Sequence, residues 1–243
     1  MTLDQIYDWE YQLRESVGPK QRFILLDKFL SHKDQFRTVL DAGGSSVTSV
    51  ILRKIFPDVR IISANIGSES NTQADSSINI DLTDTTLIER AFKGTYFDLI
   101  FMGEVFEHLF RPYAGLEALI KTLKPGGYLI ITTPNLANIY ARASLLLGKS
   151  LHQYRPIGRV ANEDHVTIVT RAEMVEVLHH LGLKVMSVKG YSYAEKRLGF
   201  EMESKGARSG LKLRRTRLLL DSILPLNFKE GLIYFAKKPT EPT

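Results

Sequence analysis

Three side chains that can bind a metal ion or move a proton lie within one short segment near the middle of the chain. Glu104, Glu107 and His108 are spaced i, i+3 and i+4, so a helix over this segment would place all three on one face. Two carboxylates and an imidazole form a partial ligand shell for magnesium, manganese, iron or zinc. His165, from a later loop that folds back over the site, is the candidate fourth ligand.

The same residues also suit chemistry without a metal. A hydroxyl group is a poor nucleophile at neutral pH, and a bound cation or a nearby base must help to remove its proton. His108 and His165 are the candidate general bases, because histidine titrates near neutral pH. In a purely structural interpretation, Glu107 pairs locally and His108 packs against a pocket. The spacing alone leaves these alternatives open.

Short apolar runs alternate with helical patterns along the chain, and together they predict the fold. Such runs are typical of strands that helices cover on both faces, so we predict a doubly wound, mostly parallel, seven-stranded α/β sheet. Ligands of such sheets bind at the carboxyl ends of the strands. The predicted strands are residues 37–41, 60–64, 78–80, 96–102, 128–133, 184–189 and 231–237, and the predicted helices are 47–55, 116–123, 136–147 and 171–181.

The length of 243 residues fits a single domain with insertions. A basic insertion over residues 203–221 interrupts the predicted C-terminal strands. The expected parts are N-terminal helices over 1–36, a core over 37–135, a helical cap with a substrate loop over 136–170, and a C-terminal helix and strands over 171–243.

Composition excludes several classes of protein. Hydrophobic residues make up 44% of the chain and charged residues 24%, which predicts a globular protein. The chain has no cysteine, so disulfides, a thiol nucleophile and thiolate zinc sites are excluded. No apolar run approaches the roughly 20 residues that cross a bilayer, and residues 1–20 do not resemble a signal peptide. We therefore expect a cytoplasmic protein.

The net charge of +5 is concentrated in one segment. No acidic residue falls between Glu203 and Asp221, and six basic residues there exceed the whole surplus. This segment suits an anionic membrane surface, a phosphorylated carrier or RNA, or is a solvated lid. Because no aromatic residues alternate with the charges, RNA ranks below a sugar or lipid-linked acceptor. The six residues are Lys205, Arg208, Lys212, Arg214, Arg215 and Arg217.

A turn of small residues follows the first predicted strand and begins a helix. It reads Asp41-Ala42-Gly43-Gly44-Ser45-Ser46-Val47. Small side chains let the backbone approach a ligand closely, and the N–H groups at the start of the helix face that ligand. Many turns between a strand and a helix look like this one, so the turn alone does not identify the ligand.

Several segments together resemble class I S-adenosylmethionine-dependent methyltransferases, which have a Rossmann-like fold. They occur in the order and spacing of that family, and the resemblance is to the O-methyltransferases of ubiquinone biosynthesis and of polysaccharide pathways. The turn at Thr133-Pro134-Asn135 and the following helix with Arg142 are similar to the polysaccharide group. The matching segments are residues 39–43, 81–82, 97–100, 104–109 and 123–129.

The resemblance implies S-adenosylmethionine as the cofactor and methyl transfer as the reaction. It places the turn around Gly43 against the methionine part, the residue after the second strand on the ribose, and Asp81 on the adenine amino group. Met102 and Gly103 would line the sulfonium side. The implied cofactor-binding residues are Asp41, Gly43, Gly44, Ser45, Asn65, Asp81, Leu82, Met102 and Gly103.

The chain departs from the family pattern at three positions. Ser45 and Val47 stand where glycines are usual, and Asn65 stands where an acidic residue usually holds the ribose. An asparagine keeps one acceptor oxygen but does not accept from two hydroxyls as a carboxylate does. A methyltransferase-like protein with weak or no turnover is therefore an alternative interpretation.

The acceptor side of the prediction rests on the Glu-x-x-Glu-His pattern. It is similar to the metal motif of small-RNA 2′-O-methyltransferases and to the pattern in ubiquinone-biosynthesis O-methyltransferases, in which it holds a divalent cation. We expect an O-methyltransferase that acts on a small sugar, polyol or phenolic acceptor, with a sugar or polyol favoured. An RNA 2′-O-methyltransferase is the further alternative.

Overall fold

The computed structural model describes residues 35–67, 73–149, 165–191 and 223–240. The predicted N-terminal helices lie almost entirely outside these residues, as does the basic insertion over 203–221. Among the described residues, no helix combines the length and the apolar character needed to cross a bilayer.

Seven strands form one sheet in the order β3-β2-β1-β4-β5-β7-β6. The five strands β1 to β5 pair in parallel, whereas β7 runs antiparallel to both β5 and β6. The predicted doubly wound, mostly parallel, seven-stranded sheet is therefore confirmed. The strands are β1 Thr38–Ala42, β2 Arg60–Asn65, β3 Ser76–Asn79, β4 Phe97–Gly103, β5 Leu123–Pro134, β6 Lys184–Tyr191 and β7 Gly231–Lys237.

Most of the described helices begin at a side chain that accepts hydrogen bonds from the first turn. Ser45 and Thr170 each form a capping box, and Asp84 and Asn138 cap their helices with a side-chain oxygen. These caps satisfy N–H groups that have no partner inside the helix. The helices are α1 Ser46–Ile55, α2 Thr85–Ala91, α3 Pro112–Lys121, α4 Ile139–Leu146 and α5 Arg171–His180.

The core consists of two apolar clusters, one on each face of the sheet. Neighbouring residues of a strand point to opposite faces. Val39 therefore packs in the cluster beneath α1, whereas Leu40 packs in the larger cluster with α2, α3 and α5. Because both faces are covered, the inner strands β1, β2, β4 and β7 are buried at nearly every position, whereas the edge strands β3 and β6 are not.

The order of the strands changes direction between β1 and β4. From β1 the chain continues outward to β2 and β3, and from β4 it continues the other way to β5. The last residues of β1 and β4 are in register, with Ala42 opposite Met102. Loops after such strands leave a crevice at the carboxyl edge, and ligands of doubly wound sheets bind there.

Asn135 holds the end of β5 to the segment before β7. It is fully buried, and its Nδ2 donates to the carbonyl oxygens of Asn227 at 3.0 Å and Lys229 at 2.9 Å. Its Oδ1 accepts from the Ala137 N–H at 3.0 Å. The side-chain amide therefore uses both its donor and its acceptor group, and these hydrogen bonds are a structural reason for an asparagine at this position.

Asp41 is a buried carboxyl group beneath the turn that follows β1. It is 1% exposed, and the Thr48 hydroxyl donates to its Oδ2 at 2.6 Å. Burial raises the pKa of Asp41 from 3.8 to about 7, although the Thr48 hydrogen bond opposes this shift. The native state therefore keeps a proton on Asp41 over a pH range in which the unfolded chain has lost it.

We expect Asn135→Asp to destabilise the fold by about 2 kcal/mol or more at pH 7, because an acceptor replaces the donor that faces two carbonyl groups. Urea denaturation measures the change. Asn79→Asp is the matched control, since Asn79 is exposed and, within the described residues, only its side-chain oxygen is used, accepting from the Gly67 N–H. Equal stabilities of the two variants would contradict the assigned role of Asn135.

We expect the stability of the protein to fall as pH rises from about 4 to about 7, by up to about 4 kcal/mol from Asp41 alone. Asp41→Asn removes this contribution, so the difference in unfolding free energy between wild type and variant changes across the window. The control is Asp98→Asn, because the pKa of Asp98 is shifted in the opposite direction. Burial opposes ionisation of Asp98, but hydrogen bonds from Lys124, Arg37 and Thr38 outweigh the effect of burial and lower the pKa. Parallel profiles of wild type and Asp41→Asn would rule out the shift.

Candidate active site

The turn after β1 approaches the turn after β4 closely. Gly43 has a φ of 77°, and its N–H donates to the Ala64 carbonyl at 2.6 Å. A Cβ atom on Gly43 would overlap the Val105 side chain, and one on Gly44 would overlap the side chains of Ser63 and Asp41. Two glycines are therefore required for the ends of β1, β2 and β4 to meet at this edge.

Ser45 occupies a position where the resemblance leads one to expect glycine, and the structure gives it a local role. It is the N-cap of α1, and its side chain accepts from the Thr48 N–H at 3.3 Å. The Thr48 hydroxyl in turn accepts from the Ser45 N–H at 2.8 Å. The turn keeps a defined conformation through this capping box.

Asp81 and Leu82 lie just beyond β3, at the same edge of the sheet. Asp81 Oδ1 accepts from the N–H and the hydroxyl of Thr83, both at 2.8 Å. Among the described residues, its Oδ2 and the Leu82 N–H have no hydrogen-bond partner. One acceptor and one donor therefore lie side by side, the complement of the amino group and ring nitrogen along one edge of adenine.

The remaining residues predicted to bind a cofactor fall into two groups. Asn65 ends β2 and is half-buried, and its carbonyl accepts from the Ile80 N–H at 2.9 Å. Gly103 ends β4 at the same edge and is half-buried. The Met102 side chain, in contrast, is fully buried in the larger core cluster, so only Gly103 of that pair reaches the edge.

The prediction that Glu104, Glu107 and His108 share one helical face is wrong. The strand β4 ends at Gly103, Glu104 has a φ of 57°, and the following helix is a single 3₁₀ turn over Phe106–His108. The reversal at Glu104 turns its side chain toward Thr132 and Tyr191, whose hydroxyl groups both donate to Glu104 Oε1. Glu104 is thus separated from the other two residues.

The structure instead brings Glu107, His108 and His165 together. One ligand atom from each lies within 4.8 Å of the others, and the two imidazole rings are 4.8 Å apart between centroids. Glu107 is fully buried, His165 is half-buried and His108 is exposed. The N–H groups of Val166 and Thr167 donate to the Glu107 carbonyl at 2.8 and 3.1 Å, which positions His165 beside the 3₁₀ turn.

Three residues of the site were not predicted from the sequence: Val105, Thr132 and Tyr191. Tyr191 ends β6, which is antiparallel to β7, which in turn is antiparallel to β5. The strand β6 therefore ends at the same edge as the parallel strands. The directions of the last two strands are the signal that would have placed Tyr191 at the site.

Comparisons with known proteins agree with this geometry. The sequence model of the methyltransferase domain family matches residues 19–188. A ubiquinone biosynthesis O-methyltransferase from Parvibaculum lavamentivorans is 32% identical over 53% of this chain and 50% of its own length. The chain spans about half the length of the first curated relatives that it matches.

Solved structures share the fold at low sequence identity. A SAM-dependent methyltransferase from Archaeoglobus fulgidus has a TM-score of 0.57 and 16% identity over 96% of this chain and 99% of its own. The N-methyltransferase NodS from Bradyrhizobium japonicum, solved with S-adenosylhomocysteine, has a TM-score of 0.53 and 12% identity over 90% of this chain and 86% of its own. Because the family model covers most of the chain and the sheet has the fold of these structures, the chain belongs to the methyltransferase domain family, within the class I S-adenosylmethionine-dependent methyltransferases.

Proposed function

We propose that this protein is an S-adenosylmethionine-dependent O-methyltransferase that acts on a hydroxyl group of a small acceptor. The observation that carries the proposal is the Glu107–His108–His165 cluster, whose first two residues lie on the 3₁₀ turn that follows β4 at the carboxyl edge of the sheet. Family membership supports the cofactor, and the cluster supplies groups that can activate an oxygen nucleophile.

The described residues fit the cofactor at several points. The Asp81 carboxylate and the Leu82 N–H suit the adenine edge, and Asn65 offers an amide oxygen to the ribose. The first turn of α1 would present backbone N–H groups to the amino acid part of the ligand. When bound, the cofactor supplies an electrophilic methyl group for in-line attack, and these residues hold it in place.

The cluster fits a divalent cation by the chemistry of its donor groups. One carboxylate and two imidazoles suit manganese, iron or zinc better than magnesium, which prefers oxygen ligands. Glu107, His108 and His165 would hold the ion, and a bound cation lowers the pKa of a hydroxyl group. Without a metal, His108 and His165 are the residues that would take the proton from the hydroxyl group of the substrate.

The acceptor class is proposed from the relatives. The curated relatives at about 32% identity are named ubiquinone biosynthesis O-methyltransferases, which supports a phenolic hydroxyl. A sugar or polyol hydroxyl is the alternative, which the turn at residues 133–135 and the helix with Arg142 favoured in the sequence. Either acceptor needs the same removal of a hydroxyl proton, so both fit the cluster.

We expect S-adenosylhomocysteine to raise the melting temperature, because a ligand of the native state stabilises it by about 2.7 kcal/mol at roughly 100 times its dissociation constant. Asp81→Asn should reduce this shift, since one acceptor that faces the adenine amino group becomes a donor. Methionine without the adenosyl group is the control ligand. Absence of any shift in the wild type at millimolar S-adenosylhomocysteine would refute the proposed cofactor and favour a methyltransferase-like protein without turnover.

We expect Mn²⁺ to bind the wild type and to bind at least tenfold more weakly to Glu107→Gln and His165→Ala, as measured by isothermal titration calorimetry. Glu104→Gln should bind Mn²⁺ like the wild type, because Glu104 points toward Thr132 and Tyr191. Loss of binding in Glu104→Gln would restore the four-ligand prediction. Unchanged binding in His165→Ala would remove the metal site and leave the histidines as candidate bases.

A further inference from the structure

The strained turn after β4 is held by a residue from the far side of the sheet. The strands lie in the order β4-β5-β7-β6, and Tyr191 at the end of β6 reaches past β7 and β5 to Glu104. Gly231 stands opposite Tyr191 in the register of β6 and β7. A Cβ atom on Gly231 would overlap the Tyr191 ring, so the glycine opens the path that the tyrosine takes.

Glu104 is fixed at both its backbone and its side chain. Its N–H donates to the carbonyl and the hydroxyl of Thr132, at 3.0 and 3.1 Å. The Thr132 hydroxyl donates to Glu104 Oε1 at 3.2 Å, and the Tyr191 hydroxyl donates to the same oxygen. Thr132 is fully buried and Tyr191 is 3% exposed, so water competes little for these hydrogen bonds.

These hydrogen bonds offset an unfavourable backbone conformation. Among the described residues, Glu104 is the only residue other than glycine with a positive φ. The left-handed conformation is unfavourable for a residue with a Cβ atom and persists where the surroundings impose it. The hydrogen bonds at Glu104 Oε1 are therefore part of what keeps the chain reversed at this point.

The reversal at Glu104 determines where the next residues lie. Val105 follows directly and packs against Gly43 of the cofactor turn, and Glu107 and His108 follow on the 3₁₀ turn beside His165. We propose that Tyr191 is a positioning residue. By holding the Glu104 carboxylate, it keeps residues 104–108 in the conformation that joins the cofactor turn to the Glu107–His108–His165 cluster. The effect on ligand binding rests on the proposed function, whereas the effect on the turn does not.

Hydrogen exchange of the full chain, read by mass spectrometry on peptides that cover residues 104–109, tests the effect on the turn. We expect Tyr191→Phe to accelerate exchange there about tenfold, because it removes a hydrogen bond to a carboxylate. Tyr234→Phe is the matched control: Tyr234 is also fully buried, and among the described residues its hydroxyl has no hydrogen-bond partner. Equal exchange in wild type and Tyr191→Phe would overturn the proposal.

Substitutions of Glu104 test whether its hydrogen bonds hold the strained turn in place or whether the loss of any side-chain contact has the same effect. Glu104→Gln keeps an acceptor oxygen and should exchange like the wild type, whereas Glu104→Ala keeps the strain without the hydrogen bonds and should exchange faster. Glu104→Gly removes the strain and should exchange more slowly than Glu104→Ala. Adding Tyr191→Phe to Glu104→Gly should then have no further effect. Faster exchange in Glu104→Gly than in Glu104→Ala would overturn the proposal.

Titration with S-adenosylhomocysteine tests the functional consequence. We expect Tyr191→Phe to weaken its binding several-fold through Val105 and Gly43, and Tyr234→Phe to leave it unchanged. A wild type that binds no S-adenosylhomocysteine would refute the proposed function, while the exchange experiment would still test the turn. Normal binding and unchanged exchange in Tyr191→Phe would refute the positioning role and leave the proposed function intact.

Discussion

The site depends on how closely the turn after β1 approaches the turn after β4. Gly43 has no room for a Cβ atom, so the backbone of the first turn packs directly against the Val105 side chain of the second. This contact brings the N-terminus of α1, the end of β2 and the 3₁₀ turn of Phe106–His108 to one edge.

Buried polar groups at this edge are arranged so that most of their hydrogen bonds are made within the protein. Asn135 uses donor and acceptor to join β5 to the segment before β7, and Asp41 lies beneath the turn with a hydrogen bond from Thr48. An unsatisfied buried polar group costs about 1–3 kcal/mol, so these hydrogen bonds restrict the conformations open to the edge. Among the described residues, the Asp81 Oδ2 atom and the Leu82 N–H differ from these groups in having no hydrogen-bond partner.

The sheet could be predicted from the sequence, because continuous apolar strands and intervening helical patterns are direct consequences of two covered faces. Segment boundaries were less accurate. The predicted strand over 128–133 is only the second half of β5, which begins at Leu123 and pairs with Phe97 before a register shift, and the predicted helix over 116–123 ends at Lys121. Tyr191 was missed because its partner Glu104 is 87 residues away, and no local pattern links the two.

The wrong prediction of a helix at Glu104 concerns the Glu-x-x-Glu-His motif, whose two glutamates contact different residues in the structure. In a regular helix, the spacing i, i+3 and i+4 places all three side chains on one face. Here the left-handed residue comes first and a 3₁₀ turn follows, so Glu104 and Glu107 point to different neighbours. Glu104 then joins Tyr191, which packs in the cluster beneath α1, while Phe106 of the 3₁₀ turn packs in the larger cluster on the other face. The reversal thus separates the Glu104 carboxylate, which accepts from Tyr191, from the Glu107 carboxylate, which lies beside His108 and His165.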